Sequence, residues 1–415
     1  MADVIIIGAG AAGMMAALTA ARRGKEVLLL EKMQQPGLKL RITGKGRCNL
    51  TNTSSLKDFL LHVGPMAANP QQPSPNARFM QNSFATFFNT QLMELFESLG
   101  VPLVVERGSR VYPKSGKSLD IFLALINDLE QRDNVTIRKN TTVKKIETFE
   151  GQATAVILAN GERIACRHIV LATGGLSYPT TGSTGAGLRM AAELGHTVVE
   201  SVPALVALRC QEQIPDEMVG FQLKNVALTV ADKSFFGEMT FCDDGLAGPI
   251  VLSASRIASR PLHEGQTLTA HLDLKPALSP EQLDKRLQAD LAANGTRIFN
   301  DALRLWLPAE LIPLALKQLH IEYYKRLHQI TGDERRRLGR WLKDVPFTLT
   351  GTHDYNEAII TQGGVSVAEV NPKTMESKLI QGLYIVGELL DLDADTGGYN
   401  LQIAFSTGHA AGLAV

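Results

Sequence analysis

The first thirty residues set a glycine turn between an apolar run and an alanine-rich segment, and few folds accept that order. Asp3 to Gly8 reads D-V-I-I-I-G, a continuous apolar run of the kind a strand buried on both faces of a parallel sheet requires. Gly8, Gly10 and Gly13 then form G-x-G-x-x-G, and Ala11 to Arg23 is Ala-rich with Gly24 behind it, a good helix former closed by glycine at C′. Glu26 to Leu30 is a second apolar strand that runs into Glu31. A fingerprint that follows a strand, opens a helix and is answered by an acidic residue about 20 positions on predicts a dinucleotide site. Gly8 permits the tight turn, Gly10 lets the backbone approach a pyrophosphate, and Gly13 allows helix and strand to pack closely. The helix N-terminus, with Ala12 in its first turn, offers N–H groups to the phosphates. Glu31, followed by Lys32, is the candidate acceptor for ribose hydroxyls. FAD and NAD share the ADP half, so this unit alone does not choose between them.

Bulk properties narrow the class. A chain of 415 residues exceeds what one hydrophobic core usually organises, so two or three lobes are expected. Its 42 basic and 42 acidic side chains cancel, so no global field draws it to a polyanion, and no nucleic-acid partner is expected. Cys48, Cys166, Cys210 and Cys242 lack CxxC spacing and the nine histidines lack HxH or HExxH pairing, which favours reduced thiols and no metal. The apolar run Val4 to Ala20 is broken by glycines and preceded by Asp3 rather than by a basic region, unlike a signal peptide. With no other stretch apolar enough to span a bilayer, a cytoplasmic protein without a membrane span is expected. Its oligomeric state is left open.

Further motifs carry a resemblance. They are Arg41 to Asn52 (R-I-T-G-K-G-R-C-N-L-T-N), Leu171 to Gly175, Thr181 to Gly187, Thr361 to Val365, Thr374 to Lys378, and Gly387 to Asp391 through Gly397 to Gln402. In these the sequence resembles the BaiN/RdsA-like NAD(P)/FAD-dependent oxidoreductase family, bacterial flavoproteins that include aminoacetone-oxidase-like members. The resemblance spans almost the whole chain and implies FAD, with NAD(P)H as a candidate reductant. It implies that the cationic loop holding Arg41, Thr43, Gly44, Lys45, Arg47, Cys48 and Asn49 borders the isoalloxazine, where positive charge favours reduced flavin. Gly387 and Glu388 would meet the pyrophosphate and ribityl chain, and Gly398, Asn400 and Leu401 the flavin end. A helix from Gln402 to Ala414 would turn its N-terminus to the pyrimidine carbonyl. In related FAD folds the adenine packs near Val143, while Thr173 and Gly174 form a close turn at the ADP half.

The expected fold is therefore α/β: a Rossmann-like, two-dinucleotide-binding-type FAD domain, discontinuous, with an inserted β-barrel plus helical lobe. Residues 1–195 and 350–415 form the FAD domain, and 196–349 the substrate-side insert, β-rich over 196–278 and helical over 279–345. Ser279, Pro280 and Gln282 carry a helix start. Arg335, Arg336 and Arg337 read as a solvated helix face, and the proline-rich stretch Gly64 to Asn76 as a linker. The expected function is FAD-dependent redox chemistry on a small organic substrate entering between the two parts, with electrons passing through flavin N5. Thr361 joins the flavin-side candidates. Cys48, Lys45 and His353 are weak catalytic candidates, Cys48 because Arg47 and Lys45 would favour its thiolate. A flavin-dependent RNA-modifying enzyme and a FAD-binding sensor without turnover remain as alternatives, and oxidase or reductase direction is open.

Overall fold

The computed structural model describes residues 2–65 and 72–415. It divides into two compact units, Met1–Pro203 with Tyr355–Val415, and Ala204–Asp354.

The first unit is built on a five-stranded parallel sheet in the order Leu383–Ile385, His168–Leu171, Val4–Ile7, Val27–Leu30, Val135–Arg138. The inner strands Val4–Ile7 and Val27–Leu30 carry unbroken apolar burial, and His168–Leu171 does so after its first residue, as a sheet covered on both faces demands. The strand Val4–Ile7 is followed by the helix Ala11–Arg22, whose end is closed by Gly24 at φ 80°. Against this first helix lies the last one, Tyr399–Ala414. A Cβ on Gly408 would stand 2.2 Å from the Ala12 carbonyl oxygen, and one on Gly412 2.6 Å from that of Ala16. The two backbones therefore approach more closely than any larger residue would permit. Two three-stranded antiparallel sheets flank this body: Thr51–Asn52 with Arg110–Pro113 and Leu103–Glu106, and Val143–Phe149 with Gln152–Leu158 and Arg163–Ala165. Of the proline-rich stretch Gly64 to Asn76, residues 66–71 lie outside the described residues; beyond them Ser74 caps the short helix Pro75–Phe79.

The second unit contains a closed six-stranded barrel. Its strands, in order around the barrel, are Leu208–Cys210, Gly245–Ala247, Lys233–Cys242, Gln222–Val230, Leu268–Asp273 and Val345–Thr352. Alternate residues such as Leu228, Met239, Phe241, Leu272, Phe347 and Leu349 point inward and are buried. The helix Pro280–Ala293 starts with the capping box read from sequence, the Ser279 hydroxyl accepting from the Gln282 N–H at 3.2 Å and Gln282 Oε1 from the Ser279 N–H at 2.9 Å. In the helix Gly332–Lys343, Arg335 pairs with Asp284 at 2.8 Å and Arg336 with Asp333 at 2.5 Å. The stretch read as β-rich also holds the helix Pro249–His263. Pro249 occupies a first-turn position that costs no hydrogen bond, and Ile250, Ala254, Ala258 and Leu262 supply a helical apolar stripe.

Candidate functional site

The glycine turn separates two kinds of glycine. Gly8 sits at φ 102°, and a Cβ there would lie 2.6 Å from the Ala172 carbonyl oxygen; on Gly13 it would lie 1.9 Å from that of Gly8. Both are glycine because the strand His168–Leu171 and the turn itself leave no room. At Gly10 a Cβ would meet no atom of the described residues within 4 Å, and the backbone is extended at φ −83°. Nothing inside the described protein requires glycine there, and the main chain at Gly10 is open to approach. Against this turn sits Thr173, whose buried hydroxyl has no hydrogen-bond partner among the described residues, and the next residue, Gly174, faces Ser183. Gly387 closes the same place from the far end of the chain: its Cβ would meet that of Ala12 at 2.9 Å, and its N–H donates to the Thr407 hydroxyl at 3.0 Å.

Glu31 is buried, and its carboxylate accepts from the N–H groups of Ala9 at 2.9 Å and Met33 at 2.8 Å. A carboxylate has about four lone-pair sites, so two remain for hydroxyls. The Thr141 N–H donates to the Glu31 carbonyl at 2.8 Å, which brings the strand beginning at Val143 to this end of the sheet. Lys32 donates to the Thr184 hydroxyl at 2.8 Å and so ties the Thr181 to Gly187 loop to the same edge. Burial holds its ammonium below the ordinary lysine range.

The segment from Thr43 to Cys48 is a tight loop with several left-handed residues: Gly44 at φ 58°, Lys45 at 55°, Gly46 at 83° and Cys48 at 57°. For Lys45 and Cys48 that conformation costs roughly 1–2 kcal/mol each, strain of a kind that concentrates at functional loops. Asn49, with its amide turned to satisfy both ends, donates to the Thr51 carbonyl at 3.1 Å and accepts from the Gly398 N–H at 3.0 Å. Asn52 donates to the Gly397 carbonyl at 3.2 Å. The Thr51 hydroxyl bonds Gln402 at 2.5 Å, Gln402 bonds Ser406 at 2.9 Å, and Ser406 reaches the Phe87 carbonyl at 2.7 Å. This buried chain joins the loop to the N-terminal turn of the last helix. Leu401 is half-buried on that turn, and Asn400 accepts from the Ala394 N–H and donates to its carbonyl, both at 2.9 Å.

One cluster has no counterpart in the sequence reading. Glu388 is paired with Lys39 at 2.5 Å and accepts from the Ser177 hydroxyl at 2.9 Å and the Thr361 N–H at 2.8 Å. The Thr361 hydroxyl in turn accepts from the N–H groups of Leu176 at 2.8 Å and Ser177 at 3.1 Å. Lys39 and Ser177 carry no motif of their own, and 349 positions separate Lys39 from Glu388. The T-Q-G-G-V and G-E-L-L-D motifs are local, whereas the partners they meet come from distant parts of the chain.

Other candidates are placed differently from a simple ring of cations. Arg47 stacks over the Tyr112 ring at 4.3 Å and pairs with Glu106 at 2.5 Å, while Arg41 lies over Phe122 at 5.5 Å and donates to Gln35 at 2.5 Å. Thr43 donates to the Leu40 carbonyl at 2.7 Å, and Lys45 is exposed. Cys48 is fully buried, and burial pushes its thiol up to about 12, so it is a packed thiol and not a thiolate. His353 belongs to the other unit, where its Nε2 lies 2.8 Å from Asp244 Oδ1.

A parallel sheet, a glycine turn at the head of its first helix and a second chain end docked on that turn together define a dinucleotide-binding α/β fold. The family model described as the HI0933-like protein Rossmann domain matches residues 2–414, and the chain belongs to that family. It is 32% identical to a 3-dehydro-bile acid delta(4,6)-reductase of Clostridium scindens, covering 99% of this chain and 98% of the relative. It is 29% identical to a ribosomal RNA dihydrouridine synthase of Escherichia coli, over 98% and 96% of the two chains. Among solved structures, a quinol-fumarate reductase with menaquinol shares the fold, with a TM-score of 0.50 and 18% identity over 99% of this chain and 70% of that one. The chain is a FAD-dependent oxidoreductase. No helix among the described residues is long and apolar enough to cross a membrane.

Proposed function

We propose that this oxidoreductase is a reductase of a carbon–carbon double bond conjugated to a carbonyl in a small organic molecule, with NAD(P)H as electron donor. The reading rests on the meeting of both chain ends at two places, Gly387 on Ala12 of the glycine turn and Gly398 on Asn49 of the Thr43 to Asn52 loop, and its direction on the relatives. A delta(4,6)-reductase and a dihydrouridine synthase both bear names for hydrogen added across such a bond. The residues fit FAD: an open approach at Gly10, an unpartnered buried hydroxyl on Thr173 and a buried carboxylate with spare lone pairs on Glu31.

When bound, FAD supplies two-electron chemistry at its ring. The chain's own residues do the rest. The turn Gly8 to Gly13, with Ala12, would hold the pyrophosphate through backbone N–H groups, with Thr173, Gly174 and Gly387 beside it. Glu31 and Lys32 would hold the adenosine end, with Val143 as a wall. Asn49, Gly398, Asn400 and Leu401 would fix the N-terminus of the last helix, whose positive end favours negative charge. Lys39, held by Glu388, would add a cation on the same side as Thr361, with Arg41, Thr43, Gly44 and Arg47 shaping the loop.

The test is anaerobic. Purified protein should show flavin absorbance, bleach with NADH or NADPH, and recover its colour when a conjugated enone is added. Colour that returns with oxygen but with no enone would refute the reductase reading. The second reading, an RNA substrate, is favoured by the exposed rings of Tyr323 and Tyr324 on the second unit, 53% and 75% accessible and 6.5 Å apart, which could stack unpaired bases. Reoxidation by uridine-containing RNA, with affinity falling steeply with salt, would select it.

A further inference from the structure

At one end of the barrel three donors of different chemistry converge. Cys242 ends the strand Lys233–Cys242, Asp244 sits in the turn that follows, and His353 comes directly after the strand Val345–Thr352. Their ligand atoms all lie within 4.8 Å of one another. Cys242 Sγ is 3.6 Å from Asp244 Oδ1, and His353 Nε2 is 2.8 Å from the same oxygen. Sequence spacing predicts no metal, because the cysteines lack CxxC spacing and the histidines lack HxH or HExxH pairing, and His353 lies 109 positions from Asp244. Barrel closure removes that separation.

We propose that Cys242, Asp244 and His353 form a binding site for a zinc-class divalent ion. A tetrahedral zinc with Zn–S near 2.3 Å and Zn–N or Zn–O near 2.0–2.2 Å sets its ligand atoms roughly 3.3–3.6 Å apart. The Cys242 to Asp244 separation already matches that edge, and the His353 to Asp244 edge opens by about half an ångström as a hydrogen bond is replaced by two metal bonds. Thiolate with imidazole selects zinc-class ions over calcium or magnesium, which prefer oxygen alone. The backbone around the donors is already fixed. The His353 N–H donates to the Ala207 carbonyl at 3.0 Å and the Cys210 N–H to the Asp244 carbonyl at 2.9 Å. Arg209 holds the other Asp244 oxygen at 3.1 Å, which leaves Oδ1 to the ion. Thiol and imidazole are half-buried and the carboxylate is exposed, so the ion has an entry path. On binding, the Cys242 S–H bond breaks as the sulfur–metal bond forms and its proton leaves to solvent, while the Nε2 proton that His353 shares with Asp244 is lost and Nδ1 carries the proton of the neutral ring, which frees Nε2 for the ion. Three protein ligands leave the fourth position to water.

The test uses the full-length, flavin-loaded protein and zinc itself. Equilibration with zinc followed by dialysis and elemental analysis should return one zinc per chain, and X-ray absorption at the zinc edge should show one sulfur near 2.3 Å. Cys242→Ser, Asp244→Asn and His353→Gln should each weaken zinc affinity at least about tenfold, with flavin content and melting temperature at the wild-type level. Substoichiometric zinc, a zinc edge without sulfur, or retention unchanged in Cys242→Ser and His353→Gln would overturn the site. Because the readout is metal and not turnover, it stands apart from the enone assay.

Discussion

Replacing Gly10 by alanine separates ligand binding from folding at a single atom. A methyl at Gly10 meets no atom of the described residues within 4 Å, and φ −83° suits any residue. Gly10 is also the N-cap of the first helix, where alanine is a poorer cap by roughly 0.5–1 kcal/mol. The flavin-free protein should therefore lose at most about 1 kcal/mol, a shift of a few degrees in melting temperature. If pyrophosphate comes close to this backbone, the methyl overpacks the contact at about 1–3 kcal/mol, which raises the Kd for FAD roughly 5- to 150-fold. Gly13→Ala is the contrast: its methyl would stand 1.9 Å from the Gly8 carbonyl oxygen, so folding itself should suffer. The assay is flavin-fluorescence quenching on stripped protein for Kd, with thermal unfolding of the same stripped samples. A Gly10→Ala protein that binds FAD as tightly as the parent would refute the assignment of this turn, and one that unfolds like Gly13→Ala would refute the distinction between the glycines.

His409, stacked on Phe87 at 4.2 Å, is pushed by burial down to about 4, below the roughly 6.5 of an unfolded histidine. Stability is then complete above about pH 6.5 and falls as pH drops toward 4, by roughly 2–3 kcal/mol for a ring that keeps some solvent contact; urea unfolding of His409→Met should lose that slope, and an unchanged slope would count against it. Lys39→Met and Glu388→Gln should each weaken FAD binding and stability, but the double variant should cost less than the sum by about 1 kcal/mol or more; strict additivity in a double-mutant cycle would dissolve the pair. Cys48, with its thiol pushed up to about 12, should resist iodoacetamide at pH 8 until the chain is unfolded, and mass spectrometry showing native-state modification would contradict its burial.

The fingerprint was legible because its chemistry is local: strand, turn, helix and acid lie within 31 residues and each step is dictated by sterics along the chain. The capping box at Ser279 was legible for the same reason. Long-range pairing was not. Nothing in the composition of residues 37–47 distinguishes Lys39, which meets Glu388, from Arg47, which turns to Tyr112 and Glu106. A count of cations predicts a positive loop but not the direction in which each side chain leaves it. The helix Pro249–His263 falls in a stretch whose short apolar runs read as strands, although Pro249 stands where a helix needs no N–H and Pro261 lies in the last turn. Cys242, Asp244 and His353 are met only by closing a barrel, a step that sequence spacing does not encode.

The glycines away from the turn position the first helix. The first helix is clamped on two sides: at its head Gly13 lies on the Gly8 carbonyl beside the sheet, and along its length Gly408 and Gly412 press the last helix onto the carbonyls of Ala12 and Ala16. A packed interior transmits such contacts with little give. The last helix also begins at the turn held by Asn49 and Thr51 through Gly398 and Gln402. One rigid rod thus fixes the distance between the glycine turn at one end of the site and the strained loop at the other. A cofactor bound as proposed, from the turn to the loop, would need that spacing constant, which would give the first and last segments of the chain a reason to share one core.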